Sequence, residues 1–304
     1  MGSLSRRRLL SATAVAGSAL MFRHALGNPL ATDDFREHIA ALERAHGGRL
    51  GVSILDMPSG RSLEYRGAGR FPICSTFKWI LVALVLTRVD AGKEALDRRI
   101  AISKDDLVSY SPISGQHVGD AGMSVAELCH AAITVSDNTA ANVLLASCGG
   151  PAALTEFARK CGDSVTRLDR LEPDLNEGTP GDPRDTTSPI AMTGIMQTLL
   201  LDNVLKASSR VQLTQWLVAN TTGDTRLRAG LPKTWRIGDK TGSSSAGISN
   251  DIAIAWPPNR GPVLIAVYYA ESKADGAARG AVIAEVGRIA ATLVAKVSKR
   301  RPTA

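Results

Sequence analysis

Ser75-Thr76-Phe77-Lys78-Trp79-Ile80-Leu81-Val82-Ala83-Leu84-Val85-Leu86 opens with a hydroxyl and an amine and continues as eight consecutive apolar residues. A helix that is apolar on every side belongs at the centre of a helical body, not on its surface. Gly92 closes this one. The i, i+3 spacing puts Ser75 and Lys78 on one helical face, about 4.5 Å apart along the axis, so Lys78 can reach Ser75. Phe71-Pro72 just upstream places Ser75 near the helix N-terminus, where the dipole and free N–H groups favour a developing negative charge.

Outward from that helix the character changes on both sides. Upstream, Phe35, Ile39 and Leu42 share one face behind the cap residues Thr32-Asp33, and Gly47-Gly48 ends the helix. Leu50–Asp56 and Ser62–Arg66 are β-prone runs joined across Pro58-Ser59-Gly60, a hairpin pattern. Downstream, caps mark further helices: Ser124-x-x-Glu127 is a capping box, Gly149-Gly150 ends a helix, and Pro151 and Ser188-Pro189 open others. Strands return at Trp235–Ser244, Asp251–Trp256 and Val263–Ala270, with Pro257–Gly261 as a turn, before an amphipathic helix from Ala277 to Val297. The expected fold is therefore α/β plus all-α: an antiparallel sheet flanked by helices, with an inserted helical domain. Residues 28–66 and 219–304 would form the α/β part, and residues 67–218, including a loop at 167–185, the helical part. A binding cleft is expected along the seam between them.

The first 27 residues stand apart. Ser5-Arg6-Arg7-Arg8-Leu9-Leu10, an apolar stretch ending near Phe22 and then His24-Ala25-Leu26-Gly27 have the layout of a twin-arginine signal peptide with a small-residue cleavage region. The protein is expected in the periplasm or outside the cell, touching a membrane only during export. Arg6, Arg7, Arg8 and Arg23 carry +4 of the net +7, so +3 remains, and Lys296, Lys299, Arg300 and Arg301 crowd the C-terminus. The body is nearly balanced and offers no basic stripe for nucleic acid. His24, His38, His46, His117 and His130 show no metal-binding spacing, so no metal or cofactor is expected. Cys74, Cys129, Cys148 and Cys161 lack a C-x-x-C pair and permit three pairings; export after folding in a reducing compartment favours free, buried thiols.

Three more clusters carry possible chemistry. Ser136-Asp137-Asn138 lies in a short turn between two helices and, taken alone, is a helix cap. Lys240-Thr241-Gly242-Ser243 lies in a strand, where Thr241 and Ser243 face one way and Lys240 the other, so both sides count only on an edge strand. Gly242 would let a ligand backbone come close. Arg167–Asp185 is long and without a period, and a loop of that length is functional or disordered; within it Glu172 and Asn176 could hold a water between them, and Arg170 and Asp185 could pair to close it.

Ser75-x-x-Lys78, Ser136-Asp137-Asn138, Glu172-x-x-x-Asn176 and Lys240-Thr241-Gly242, in this order, resemble the class A serine β-lactamases. The likeness runs through residues 30–298 and includes Arg184–Pro189 and Thr221–Asp224 ahead of Arg226. It implies that Ser75 attacks a lactam carbonyl held by the N–H groups of Ser75 and Ser243. The serine proton goes to Lys78 or to Glu172 through water, and Ser136 protonates the leaving nitrogen. Lys240, Thr241, Ser243 and Arg226 would bind the substrate carboxylate, Asn138 would orient Lys78 and the acylamino side chain, and Tyr110 would wall the cleft. Glu172 with Asn176 would then activate water for release. Some relatives pair the cysteine before the nucleophile with a second one near the strand; Ser244 stands there, which implies no such disulfide. The expected partners are small β-lactam molecules, penicillins and earlier cephalosporins first, acted on by a monomer. A penicillin-binding DD-peptidase shares the Ser/Lys chemistry but lacks the Glu172–Asn176 element as a family. A non-catalytic β-lactam sensor would bring an anchor and a signalling domain.

Overall fold

The computed structural model describes residues 29–298, with side chains over 33–295; the segment expected to be a signal peptide and the basic tail beyond Ser298 lie outside the described residues. Helix α1 (Pro29–His46) leads into the hairpin β1 (Arg49–Asp56) and β2 (Arg61–Tyr65). The helix runs straight through Thr32-Asp33, so these are not its cap as their side-chain chemistry suggested. Gly47 and Gly48 both adopt positive φ and turn the chain into the sheet.

The helical body follows: β3 (Phe71–Pro72), a 3₁₀ turn at Cys74–Thr76, α2 (Phe77–Asp90), β4 (Arg99–Ile102), β5 (Gly119–Ser124), α3 (Val125–Thr134), α4 (Asn138–Cys148) and α5 (Gly150–Lys160). The capping box at Ser124 and Glu127 forms in both directions, and Gly149 adopts the left-handed conformation between α4 and α5. After the loop come β6 (Thr186–Thr187), α6 (Pro189–Leu200), α7 (Ala207–Val218) and the short α8 (Leu227–Gly230). The chain then returns to the sheet with β7 (Arg236–Ser244), β8 (Ile248–Trp256) and β9 (Val263–Ala270), and ends in α9 (Gly276–Ser298). The pairs β3–β6 and β4–β5 are small accessory ladders that the strand patterns did not signal.

The antiparallel sheet has the order β2-β1-β9-β8-β7, so strands from both ends of the chain lie side by side and the helical body is inserted between them. Both faces are covered. Phe35, Ile39, Ile265, Val267, Ile283 and Val286 form a core under α1 and α9, while Trp79, Leu81, Ile252, Leu264 and Tyr268 belong to a larger core shared with the helices. Burial on both faces is why β9 is apolar throughout instead of alternating. α6 lies across β1 and β9, with Thr193 and Ser53 hydroxyls 2.9 Å apart, so the seam between sheet and helices is a packed one. β7 is an edge strand. Its outer margin, carrying Lys240 to Ser243, is thereby left to face the end of α2 and the Ser136 turn.

Candidate active site

The first turn of α2 delivers a fully buried lysine. Lys78 has no exposed surface, and its ammonium donates to the Ser136 carbonyl at 2.8 Å and the Asn138 Oδ1 at 2.5 Å, and pairs with Glu172 Oε1 at 3.0 Å. Ser75 Oγ donates to that same Glu172 oxygen at 3.0 Å. Ser75 and Lys78 therefore meet at a shared carboxylate oxygen and not at each other, which corrects the direct contact suggested by helical spacing. Burial pushes the Lys78 pKa down, and the charge and hydrogen bond of Glu172 push it back up.

Ser136 sits at φ +61, a left-handed turn residue that ends the α3 segment and aims its hydroxyl inward. Its Oγ is reached by the ammonium groups of Lys240 at 3.0 Å and Lys78 at 3.4 Å. Asp137 next to it is buried and does more than cap α4: besides the Ala140 N–H it accepts from the Ser114 hydroxyl at 2.6 Å and the N–H groups of Ile113 and Ser114 at 2.9 Å each. Asn138 Nδ2 donates to the Ser109 carbonyl at 2.8 Å, and its N–H to the Tyr110 carbonyl at 3.0 Å. Tyr110, at φ +62 and 61 % exposed, is thus fixed on the cleft rim by its backbone.

On the edge strand, Lys240 has no exposed surface although it points away from Thr241, because the strand margin lets its chain curl to Ser136. Burial lowers its pKa well below the usual lysine value, and Lys78 nearby acts in the same direction. Thr241 Oγ1 lies 2.5 Å from Thr222 Oγ1, which is held by Asn220. Gly242 does make room for a backbone, but it is the protein's own: an added Cβ would stand 3.0 Å from Cys74 Cβ and 3.3 Å from the Ser75 nitrogen. Arg226 Nη2 donates to Ser243 Oγ at 2.6 Å, and its Nη1 to the carbonyls of Gly242 and Asn250 at 2.9 and 2.7 Å.

The 167–185 loop is closed from within. Asp185 is buried and accepts from the Arg170 Nε at 2.6 Å and from the N–H groups of Asp169 and Arg170 at 2.7 and 3.0 Å. Glu172 is held at both ends: Asn142 donates to its carbonyl at 2.8 Å and accepts its N–H at 3.0 Å, and Asn176 Nδ2 donates to Oε2 at 2.5 Å. Ser244 Oγ donates to the Asn176 carbonyl at 2.6 Å, tying the loop to β7. All four cysteines are free, and burial raises the thiol pKa of each, of Cys161 to about 11. Removing one partner of a buried charge-assisted cluster is costly, so Asp185→Ala is expected to lower the melting temperature by about 6 °C, equivalent to about 2 kcal/mol. Calorimetry giving an unchanged transition would show that the loop is held elsewhere.

Ser75, Tyr110, Ser136, Asn138, Arg226 and Thr241 line one cleft of about 660 Å³, with Asn176 and Ser243 also in its wall. Lys78 and Lys240 reach this cleft through Ser136 and Glu172 through Ser75, whereas Arg170 and Asp185 pair behind it. The sequence reading missed Asn142 and Asn220, and gave Thr222 no role beyond its place in Thr221–Asp224. Asn142 carried a faint signal, four residues after Asn138 on the same face of α4.

The chain matches the model of the β-lactamase enzyme family over residues 34–294. It is 46 % identical over 302 residues to β-lactamase L2 of Stenotrophomonas maltophilia, covering 96 % of this chain and 99 % of that one. Among solved structures, an ancestral class A β-lactamase superposes with a TM-score of 0.83 at 62 % identity, covering 86 % of this chain and 99 % of its own. The chain belongs to the class A serine β-lactamases. Its activity is hydrolysis of β-lactam antibiotics, and its consequence is resistance to them. β-Lactamase Toho-1 of Escherichia coli is a further relative, 43 % identical over 284 residues, with 93 % of this chain and 96 % of that one covered. For a β-lactamase the charge layout is apt. Lys78, Lys240 and Arg226 stand around the cleft with Glu172 as counter-charge, so the site favours an anionic ligand.

Proposed function

We propose that Ser75 is the nucleophile, that Glu172 takes its proton during acylation, and that the same carboxylate later activates the water that frees the enzyme. The observation that carries this reading is the hydrogen bond from Ser75 Oγ to Glu172 Oε1 at 3.0 Å. As Oγ bonds to the lactam carbonyl carbon, the carbonyl oxygen becomes an oxyanion held by the N–H groups of Ser75 and Ser243, donors fixed before the reaction begins. When the C–N bond breaks, the ring nitrogen takes the hydroxyl proton of Ser136. That proton is free to leave because the Ser136 oxygen already accepts from two ammonium groups. Lys78, bonded to both Glu172 and Ser136, passes the proton taken from Ser75 onward, and Glu172 returns to its ionised form.

The substrate carboxylate is assigned to Lys240, Thr241, Ser243 and Arg226, the acylamino group to Asn138, and one wall to Tyr110. In deacylation Glu172 draws a proton from water attacking the ester carbonyl and returns it to Ser75 Oγ as the ester C–O bond breaks, with Asn176 fixing the carboxylate by its bond to Oε2. The enzyme acts as a monomer, a reading supported by a site drawn from one chain. It is exported by the twin-arginine route to the periplasm or the medium, a reading supported by Ser5-Arg6-Arg7-Arg8-Leu9-Leu10. Penicillins and earlier cephalosporins are the assigned substrates. Acid quenching during turnover of benzylpenicillin and of cephalothin, followed by peptide mass spectrometry, is expected to place each acyl adduct on the peptide carrying Ser75. Poor turnover of both drugs, or an adduct on another peptide, would defeat the assignment.

A further inference from the structure

We propose that Asn250 is a positioning residue that sets the spacing of the two oxyanion donors by clamping the nucleophile turn to the edge of the sheet. This rests on the reading of Ser75 as nucleophile with the Ser75 and Ser243 N–H groups as donors. Those two N–H groups lie on separate segments, the turn at Cys74–Thr76 and strand β7, and something must fix one against the other.

Asn250 lies in β8 directly opposite Gly242 of β7, with no exposed surface. Its Nδ2 donates to the carbonyls of Pro72 at 2.9 Å and Ile73 at 3.4 Å, the two residues before Cys74. Cys74 then takes φ +43, a conformation a non-glycine residue holds only when its surroundings impose it, and Ser75 follows. Opposite Asn250, Gly242 brings the β7 backbone against Cys74 and the Ser75 nitrogen. Glycine permits the approach, and the asparagine amide fastens it. Meanwhile the Asn250 carbonyl accepts from Arg226, which also bonds the Gly242 carbonyl and the Ser243 hydroxyl. One residue thereby holds the nucleophile turn with its side chain and the carboxylate-binding guanidinium with its main chain.

The remaining lobe of the side chain argues against a purely structural role. Asn250 Oδ1 is buried with no hydrogen-bond partner. A leucine, branched at the same atom, would avoid that orphaned acceptor, and the Ile73 carbonyl would keep its bond from Thr76 Oγ1 at 2.6 Å. An amide kept in such a place is there for its donor.

Phenylboronic acid tests this directly. It lacks a carboxylate, and the Ser75 oxygen bonds to its boron, the hydroxyl proton passing to the site base, to leave a tetrahedral boronate with an oxygen in the oxyanion position. In the full chain, Asn250→Leu and the smaller Asn250→Ala both remove the donor, the second serving if the first does not fold. The expected result is a fall of about tenfold or more in kcat/KM for benzylpenicillin with a matching rise in the inhibition constant of phenylboronic acid, at a melting temperature within about 2 °C of wild type. Wild-type boronate affinity in both variants would overturn the proposal, as would a rate loss that merely follows a fall in melting temperature. The parent reading is checked separately: a boronate adduct absent from Ser75 in the wild-type enzyme would refute the nucleophile assignment itself.

Discussion

Replacing Ser75 with alanine is expected to cut benzylpenicillin turnover by about 10⁵-fold, the scale on which losing the nucleophile acts in serine hydrolases, while leaving the fold intact. The substitution deletes a single oxygen whose bond goes to Glu172 Oε1. That carboxylate keeps Lys78 at 3.0 Å and Asn176 at 2.5 Å, so no buried charge is stranded. The turn itself is held by groups other than the Ser75 hydroxyl: the Thr76 hydroxyl on the Ile73 carbonyl, the Ile73 N–H on the Asp185 carbonyl, and Asn250. Because Glu172 Oε1 keeps Lys78 as a partner, loss of the Ser75 hydroxyl leaves no acceptor unsatisfied and is expected to change stability little. Rate and stability should therefore separate cleanly. Hydrolysis followed at high enzyme concentration beside a melting curve makes the comparison, and turnover at the wild-type level would remove Ser75 from the mechanism.

How much of this was visible beforehand depended on how local each cause was. The all-round apolar run after Lys78 could only be a central helix, and α2 is buried along most of its length. Caps were equally legible, because a capping box at Ser124 or a Ser-Pro opening at Ser188 acts within one turn of chain. The start of α1 was misplaced for the converse reason: Thr32 and Asp33 have cap chemistry, and helix propagation simply continued through them. Distant partners were invisible. Thr222 matters because it touches Thr241, Asn142 because the loop lays Glu172 on it, and Asn250 because β8 sets it opposite Gly242. None of these relations leaves a periodicity. Gly242 shows the limit most sharply, since sequence indicated close backbone approach but not that the approaching backbone would be the nucleophile's own. Ordered motifs supplied the function where local physics alone would have left a helix cap beside a lysine.

Removing Glu172 should stop the cycle at a different point. In Glu172→Ala, Lys78 keeps its bonds to the Ser136 carbonyl and Asn138 but loses the two largest influences that raise its pKa, the charge and the hydrogen bond of Glu172, keeping the smaller one of Asp137. Burial remains and lowers it, so the amine moves toward its neutral form and can accept the Ser75 proton itself. Acylation is slowed but has a substitute base. Deacylation has none, because Glu172 is the carboxylate bonded to Asn176 beside the acylated serine. Loss of a general base typically costs about 10²–10⁴-fold, and here the cost falls mainly on the second step, so kcat is expected to drop by about 10³-fold. Because release then limits turnover and acyl-enzyme accumulates, KM should fall with kcat, and kcat/KM, which reports acylation, should fall less. Mass spectrometry of the variant after brief exposure to benzylpenicillin should show the protein heavier by one intact drug molecule, since ring opening expels no fragment. Without a persistent adduct, and with kcat and KM near their wild-type values, Glu172 would not be the group that frees Ser75.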